Sequence, residues 1–192
     1  LAAATRIADI DLETFFALER KGLVVRAAHG RFAMHVMVRD FARERLADAE
    51  MDGDEVRRRH ATYYLTAVRG VMDSAPVAER AASLEDLRQD FPEIRAAWFY
   101  AIGTGATELV RHTVEPLCYF LYTRSMMRDG VEVFGAEIEN GPLKRHFASI
   151  RANFLVHQGD AEGAGILASS VLTAPGGPEL ARAHANHALA NL

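Results

Sequence analysis

The chain has a single cysteine, Cys118, so no internal disulfide holds it together. No run approaches the roughly 20 apolar residues that a membrane span needs. The first residues, Leu1-Ala2-Ala3-Ala4, lack the basic-then-apolar layout of a secretory leader. There is no excess of basic charge. Lys and Arg number 22 against 26 Asp and Glu, a net charge of −4, where a nucleic-acid surface would usually make a domain basic. The densest basic run, Arg57-Arg58-Arg59-His60, spreads around a helix and reads as a solvated face. Phosphate-cradling and nucleophile motifs are missing too: no G-x-x-x-x-G-K-[ST], no G-x-G-x-x-G, no G-x-S-x-G. These absences point to a cytoplasmic chain without catalysis of its own.

What is present suffices for a globular core. Of 192 residues, 49% are apolar and 25% charged, enough for one or two small domains. Leu12, Phe15, Phe16 and Leu18 mark a helix over about 11–20. Two short apolar runs then flank a turn at Gly30. They predict an antiparallel hairpin from residues 23–26 and 31–34, the main β-structure, with Val25, Phe32 and Met34 turned toward the helices. A helix follows from about Val36, with Val38, Phe41, Ala42, Leu46 and Ala49 at three- and four-residue spacing. Almost everything after it is helical. Gly53 breaks that helix, and Val56, His60, Tyr63, Tyr64, Ala67, Val68 and Val71 share one face of the next, which Pro76 ends. Leu84, Leu87 and Phe91 mark a helix from about Val77. Asp90 and Glu93 have capping-box spacing ahead of Ile94, Ala97, Trp98, Ala101 and Ile102, and Gly103 and Gly105 stop that helix.

Several of these segments resemble one family. Leu18-Glu19-Arg20-Lys21-Gly22-Leu23-Val24 is similar to the lead-in L-x-x-K-S-L-L. Gly30-Arg31-Phe32-Ala33-Met34-His35-Val36-Met37-Val38-Arg39-Asp40-Phe41-Ala42 is similar to G-R-Y-x-M-H-[DE]-L-[LV]-R-x-[FY]-A. Both patterns close the winged-helix domain of STAND-type nucleotide switches, which include bacterial transcriptional regulators and the NB-ARC proteins. Arg58 to Leu65 resembles the family's R-H-A-x-Y-Y-L helix. Leu84 to Ala101 resembles its L-x-x-E-x-x-N-[LI]-R-A-A-L-x-W-A segment through Ile94-Arg95-Ala96-Ala97. The chain departs from the patterns at Gly22, at Val36, where the family has an acidic residue, and at Phe91-Pro92-Glu93. The resemblance implies that His35 contacts the phosphates of ADP bound in the parent protein's nucleotide-binding domain. That domain is absent here, so ATP or ADP belongs to the parent and no cofactor is expected in this segment. The alternative for His35 is a partly buried residue at a strand-to-helix junction.

From about residue 106 the chain repeats. Gly130 and Gly163 lie 33 residues apart, as do Ala152-Asn153 and Ala185-Asn186. A period of about 34 residues is that of tetratricopeptide-like helix pairs. Gln158-Gly159-Asp160 suits the turn within a pair, and Gly141-Pro142 and Pro175-Gly176-Gly177-Pro178 suit breaks between pairs. Pro116 falls inside the helix expected over 106–123 and should kink it or mark its first turn. The expected fold is mainly α. It comprises a partial winged helix with one β-hairpin over 1–50, a helical connector over 51–105, and an antiparallel tetratricopeptide-like array over 106–192. Both ends read as those of a fragment, and Leu180, Ala183, Ala188, His184 and His187 are expected on an uncovered side of the last helix.

The search for chemistry yields little. His184 and His187 stand three residues apart without Cys or carboxylate ligands nearby, so no metal site is expected. Cys118 has no basic neighbour and reads as a core residue. Glu85-Asp86 reads as a solvated pair. The function this implies is the regulatory and protein-interaction segment of a nucleotide-controlled switch. Its expected partners are the parent's own nucleotide-binding domain and a protein or small-molecule inducer at the array. Two alternatives remain open: a DNA-binding winged-helix module with a helical dimerisation tail, and a plain helical-repeat adaptor. The first suffers from the acidic residues Asp11, Glu13 and Glu19 on its candidate recognition helix.

Overall fold

A computed structural model of the chain describes residues 1–27, 30–48, 53–73, 77–139, 141–174 and 178–192. Among them are eleven helices and one two-stranded antiparallel sheet, so the protein is mainly α, with a single hairpin and a helical array. The chain divides into two units, Leu1–Tyr63 and Tyr64–Leu192.

The first unit holds α1 (Ala2–Ala8), α2 (Leu12–Arg20), β1 (Val25–Arg26), β2 (Phe32–Ala33), α3 (Val36–Asp48) and the start of α4 (Gly53–Asp73). Asp11 starts α2 by accepting a hydrogen bond from the Thr14 amide at 2.7 Å. Phe15, the buried residue of α2, meets Phe32 edge-on at 4.7 Å, which seats the hairpin on the helix. Strand pairing is shorter than expected: Val25 faces Ala33 and Arg26 faces Phe32. Gly30 has the positive φ of 70° that the turn requires. The inward set also differs. Val24 is buried, and alternation along the chain turns Val25 outward, while Met34 is exposed as well. On α3, Val38 is half-buried and Phe41 and Ala42 are exposed. The Leu46 side chain and Ala49 lie outside the described residues.

The second unit holds the rest of α4, then α5 (Val77–Gln89), α6 (Phe91–Gly103), α7 (Thr107–Thr123), α8 (Met127–Val133), α9 (Gly141–Gln158), α10 (Ala161–Thr173) and α11 (Glu179–Ala190). Tyr64, Leu65, Val68 and Val71 of α4 are buried, whereas Ala67 is exposed. Pro76 lies outside the described residues. Asp90 sits at the N-cap of α6, but its backbone (φ −90°, ψ 3°) is not extended and its side chain makes no capping hydrogen bond. Its carbonyl instead accepts from the Glu93 and Ile94 amides, each at 3.0 Å. Trp98 is the centre of the core. It stacks on Phe147 at 5.4 Å and donates from Nε1 to the Val133 carbonyl at 3.1 Å.

The buried positions of the array recur at the same 33-residue offset as Gly130 and Gly163. Val110, Val114, Leu117 and Leu121 of α7 recur 33 residues later as Leu143, Phe147, Ile150 and Phe154 of α9, and all eight are buried. One more step reaches Leu180, Ala183 and His187 of α11, which are exposed. Ala188, expected beside them, is instead buried. With Ala181 and Ala185 it packs against Ala152, Ala168 and Val171, a seam of small side chains that lets α9, α10 and α11 approach closely. Gly130 and Gly163 are not equivalent in their packing. A β-carbon at Gly130 would strike the Phe154 ring, whereas the nearest atoms to one at Gly163 are those of the Asp160 carboxylate. Pro116 lies inside α7.

Within-pair turns share one motif. Gly159 has φ 84° and the Asp160 amide reaches back to the Leu155 carbonyl at 3.0 Å; Asp160 then caps α10 by accepting from the Gly163 amide at 2.9 Å. The previous turn does the same with a residue less suited to it. Ser125 has φ 56°, and the Met126 amide reaches the Leu121 carbonyl at 2.9 Å. The left-handed region costs a residue with a β-carbon about 1 kcal/mol that glycine avoids. Ser125→Gly is therefore expected to stabilise the unit by about 0.5–1 kcal/mol in urea unfolding, and a loss of stability would show that the serine side chain holds the turn.

Candidate functional site

Helices α7 and α9 are the first helices of two successive pairs, α11 follows the second pair, and the three form one row, because α9 packs against both of the others. Across this row three side chains converge. His146 Nε2 of α9 lies 2.6 Å from Glu115 Oε1 of α7. His184 Nε2 of α11 lies 3.3 and 3.4 Å from the two oxygens of the same carboxylate. The two imidazoles are 5.8 Å apart, centre to centre. All three groups are partly sheltered: 12% of the His146 side chain, 23% of His184 and 40% of Glu115 remain exposed. Two turns along α7, the Tyr122 hydroxyl meets His157 Nε2 at 2.7 Å and forms a second bridge to α9. Asn153 also ties α9 to α11, donating to the His184 carbonyl at 2.9 Å and to the Ser149 carbonyl at 3.0 Å.

Burial alone would push the Glu115 carboxyl up. Hydrogen bonds from His146 and His184, and their positive charge when protonated, outweigh burial and bring its pKa down to about 2 from an ordinary 4.5. A carboxyl lowered by folding contributes stability above its unfolded pKa, and that contribution is lost as pH falls through the folded value. The stability difference between the protein and its Glu115→Gln variant is therefore expected to be complete at pH 5 and to shrink toward pH 2. A difference independent of pH over that range would remove the carboxylate's role.

The other residues singled out in the sequence lie elsewhere. His187 is exposed and sits beside Asn191, the C-cap of its helix, so it does not join His184 in a site. His35 is exposed at the junction of β2 and α3. Its carbonyl accepts from the Arg39 amide at 2.9 Å and its Nδ1 from the Met37 amide at 3.3 Å, so it caps α3. The expectation that it would be partly buried at this junction is not met. Cys118, one turn beyond Glu115, is half-buried, and burial followed by the nearby Glu115 charge pushes its thiol up to about 12; it is no nucleophile at neutral pH. Glu85 pairs with Arg88 at 3.3 Å and with Arg124 at 3.9 Å. An open cleft of about 1250 Å³ lies between the end of α6, residues 134–139 and α9, and it shares no lining residue with the Glu115 cluster.

Glu115 and His146 escaped the sequence reading because they are 31 residues apart, and His184 is 69 from Glu115. One signal was available. At steps of 33 residues from Glu115 stand Ala148 and Ala181, so a glutamate occupies a position that the rest of the array gives to alanine. Among the described residues no helix is long and apolar enough to cross a membrane. Comparison of the chain with protein families, with curated proteins and with solved structures finds no match to any of them.

Proposed function

We propose that this chain is the regulatory and protein-interaction segment of a nucleotide-controlled signalling switch, of the kind found among bacterial transcriptional regulators, working in the cytoplasm and without catalysis of its own. The observation that carries this reading is the state of α3. Val36, Met37 and Phe41 expose 51%, 73% and 57% of their surface on a single helix, directly after the exposed His35 ring. Large apolar side chains grouped this way mark an interaction surface. A nucleotide-binding domain of the parent protein is the proposed occupant, with His35 directed to the phosphates of its ADP and the first unit holding it closed. The array then takes a protein or small-molecule inducer on the α7/α9/α11 row, and binding there shifts the closed–open balance. The rival DNA-binding reading asks α2 to approach phosphate with Glu13 and Glu19 on it, and Glu19 is already paired with Arg26 at 2.5 Å.

The test compares His35→Ala with His35→Asn in the full-length protein. Asparagine keeps a side chain able to cap α3, whereas alanine removes it. Both variants are expected to release bound ADP faster than the parent and to raise its basal output. Equal ADP retention in all three, or a parent that carries no adenine nucleotide, would overturn the proposal.

A further inference from the structure

Glu115, His146 and His184 present three ligand atoms, one from each of α7, α9 and α11, all within 4.8 Å of one another. Two imidazoles and one carboxylate form a donor set suited to zinc-class ions, which bind three protein ligands and leave a further position open. On such an ion, bond lengths of about 2.0–2.1 Å place neighbouring tetrahedral ligand atoms about 3.3 Å apart. His184 Nε2 and Glu115 Oε1 already have that spacing, at 3.3 Å. The 2.6 Å between His146 Nε2 and Glu115 must open by about 0.7 Å, within the reach of a carboxylate rotation. Both rings turn the same nitrogen, Nε2, toward one point. A metal-bound imidazole is neutral, so with one carboxylate the ligand set carries a single negative charge, which favours a cation.

We propose that Glu115, His146 and His184 bind one divalent first-row transition metal ion of the zinc class, each through a single atom, and that the ion ties α7, α9 and α11 together. The partial exposure of all three side chains leaves the fourth position to water. With two nitrogen ligands of three, the site discriminates against Mg²⁺ and Ca²⁺, which require oxygen. The site spans two helix pairs and the helix that follows them, so the ion couples α7 of the first pair to α11 directly. It stands independently of whether the array has a protein partner.

The experiment titrates Zn²⁺ into the metal-stripped full chain against a chromophoric chelator, with the melting temperature as a second readout. One equivalent is expected to bind and to raise the melting temperature. Even an outer-shell partner is worth about 10- to 100-fold in metal affinity, so His146→Ala, His184→Ala and Glu115→Gln are each expected to weaken binding at least tenfold. Glu115→Gln preserves size and shape, which keeps the test valid if a histidine variant folds poorly. His157→Ala and His187→Ala are expected to leave binding unchanged, and millimolar Mg²⁺ or Ca²⁺ is expected not to compete. Failure to bind one equivalent would overturn the proposal. So would binding that survives Glu115→Gln, or binding lost as strongly in His187→Ala as in His184→Ala.

Discussion

Trp98→Ala is expected to cost about 3–5 kcal/mol of stability, the range for emptying a large aromatic site in a packed core. Trp98 is fully buried, stacks on Phe147 at 5.4 Å and meets Phe134 edge-on at 5.9 Å. Phe134 follows α8 and Phe147 belongs to α9, so one side chain of α6 holds the end of one helix pair and the start of the next. Alanine would leave a cavity that these rings cannot fill without losing their mutual contact at 5.5 Å. It would also leave the Val133 carbonyl without its indole donor. Trp98→Phe separates the two effects. It keeps most of the volume and removes the donor, for an expected cost of about 1–3 kcal/mol. Chemical unfolding followed by far-ultraviolet circular dichroism measures both, since the variants lack the only tryptophan. A cost below about 1 kcal/mol for alanine would show that α6 is not anchored here.

Helices were legible in the sequence wherever a strong 3.6-residue pattern met a local stop. Val36, Val77 and Asp160 mark starts that the structure keeps, and Gly103, Gly105 and Gly159 mark ends. Such signals depend only on the chain a few residues either side. Side-chain direction was less legible. The hairpin pattern permits either Val24 or Val25 to face inward, and the contact of Phe32 with Phe15 decides for Val24. The repeat was visible as a period, but not as a set of contacts. Gly130 aligns with Gly163 at the same 33-residue offset as Val114 with Phe147 and Leu117 with Ile150, yet the Phe154 ring lies against Gly130 and the Asp160 carboxylate against Gly163. A period constrains which residues occupy similar helices. It does not say which of them touch.

The candidate site was the least legible part, for a physical reason. No two of Glu115, His146 and His184 lie on the same helix, so no short spacing joins them. What brings them together is the stacking of α7, α9 and α11, and that distance depends on the small side chains of the seam. Ala181, Ala185 and Ala188 are fully buried between α11 and its neighbours. Larger residues there would move His184 away from Glu115. The sequence placed Ala188 on an uncovered side of α11, whereas its burial with Ala181 and Ala185 holds α11 close to its neighbours.

Gly130→Ala tests the other close approach in the array and is expected to destabilise the protein by about 1–3 kcal/mol. Propensity alone argues for the opposite sign, because alanine is favoured over glycine inside a helix by about 1 kcal/mol. Packing reverses it. A β-carbon at Gly130 would lie 2.5 Å from Cδ1 of Phe154 and 2.6 Å from Cγ and Cε1. The ring has little room to retreat. Phe154 is only 1% exposed, stacks in parallel on Phe134 at 6.0 Å, and has Tyr122 at 6.3 Å. Relief must come from moving α8 off α9. Gly163→Ala supplies the control. Its β-carbon would meet the Asp160 carboxylate at 2.5 Å, the end of a side chain free to swing aside. Losing that cap costs about 1 kcal/mol, and the gain in propensity offsets it, so a near-neutral effect is expected. Phe154→Leu should relieve the clash: the Gly130→Ala penalty measured in that background is expected to fall by at least about 1 kcal/mol, as for residues in direct contact. Additive penalties in the double variant would mean that α8 and α9 are spaced farther apart than the ring contact requires.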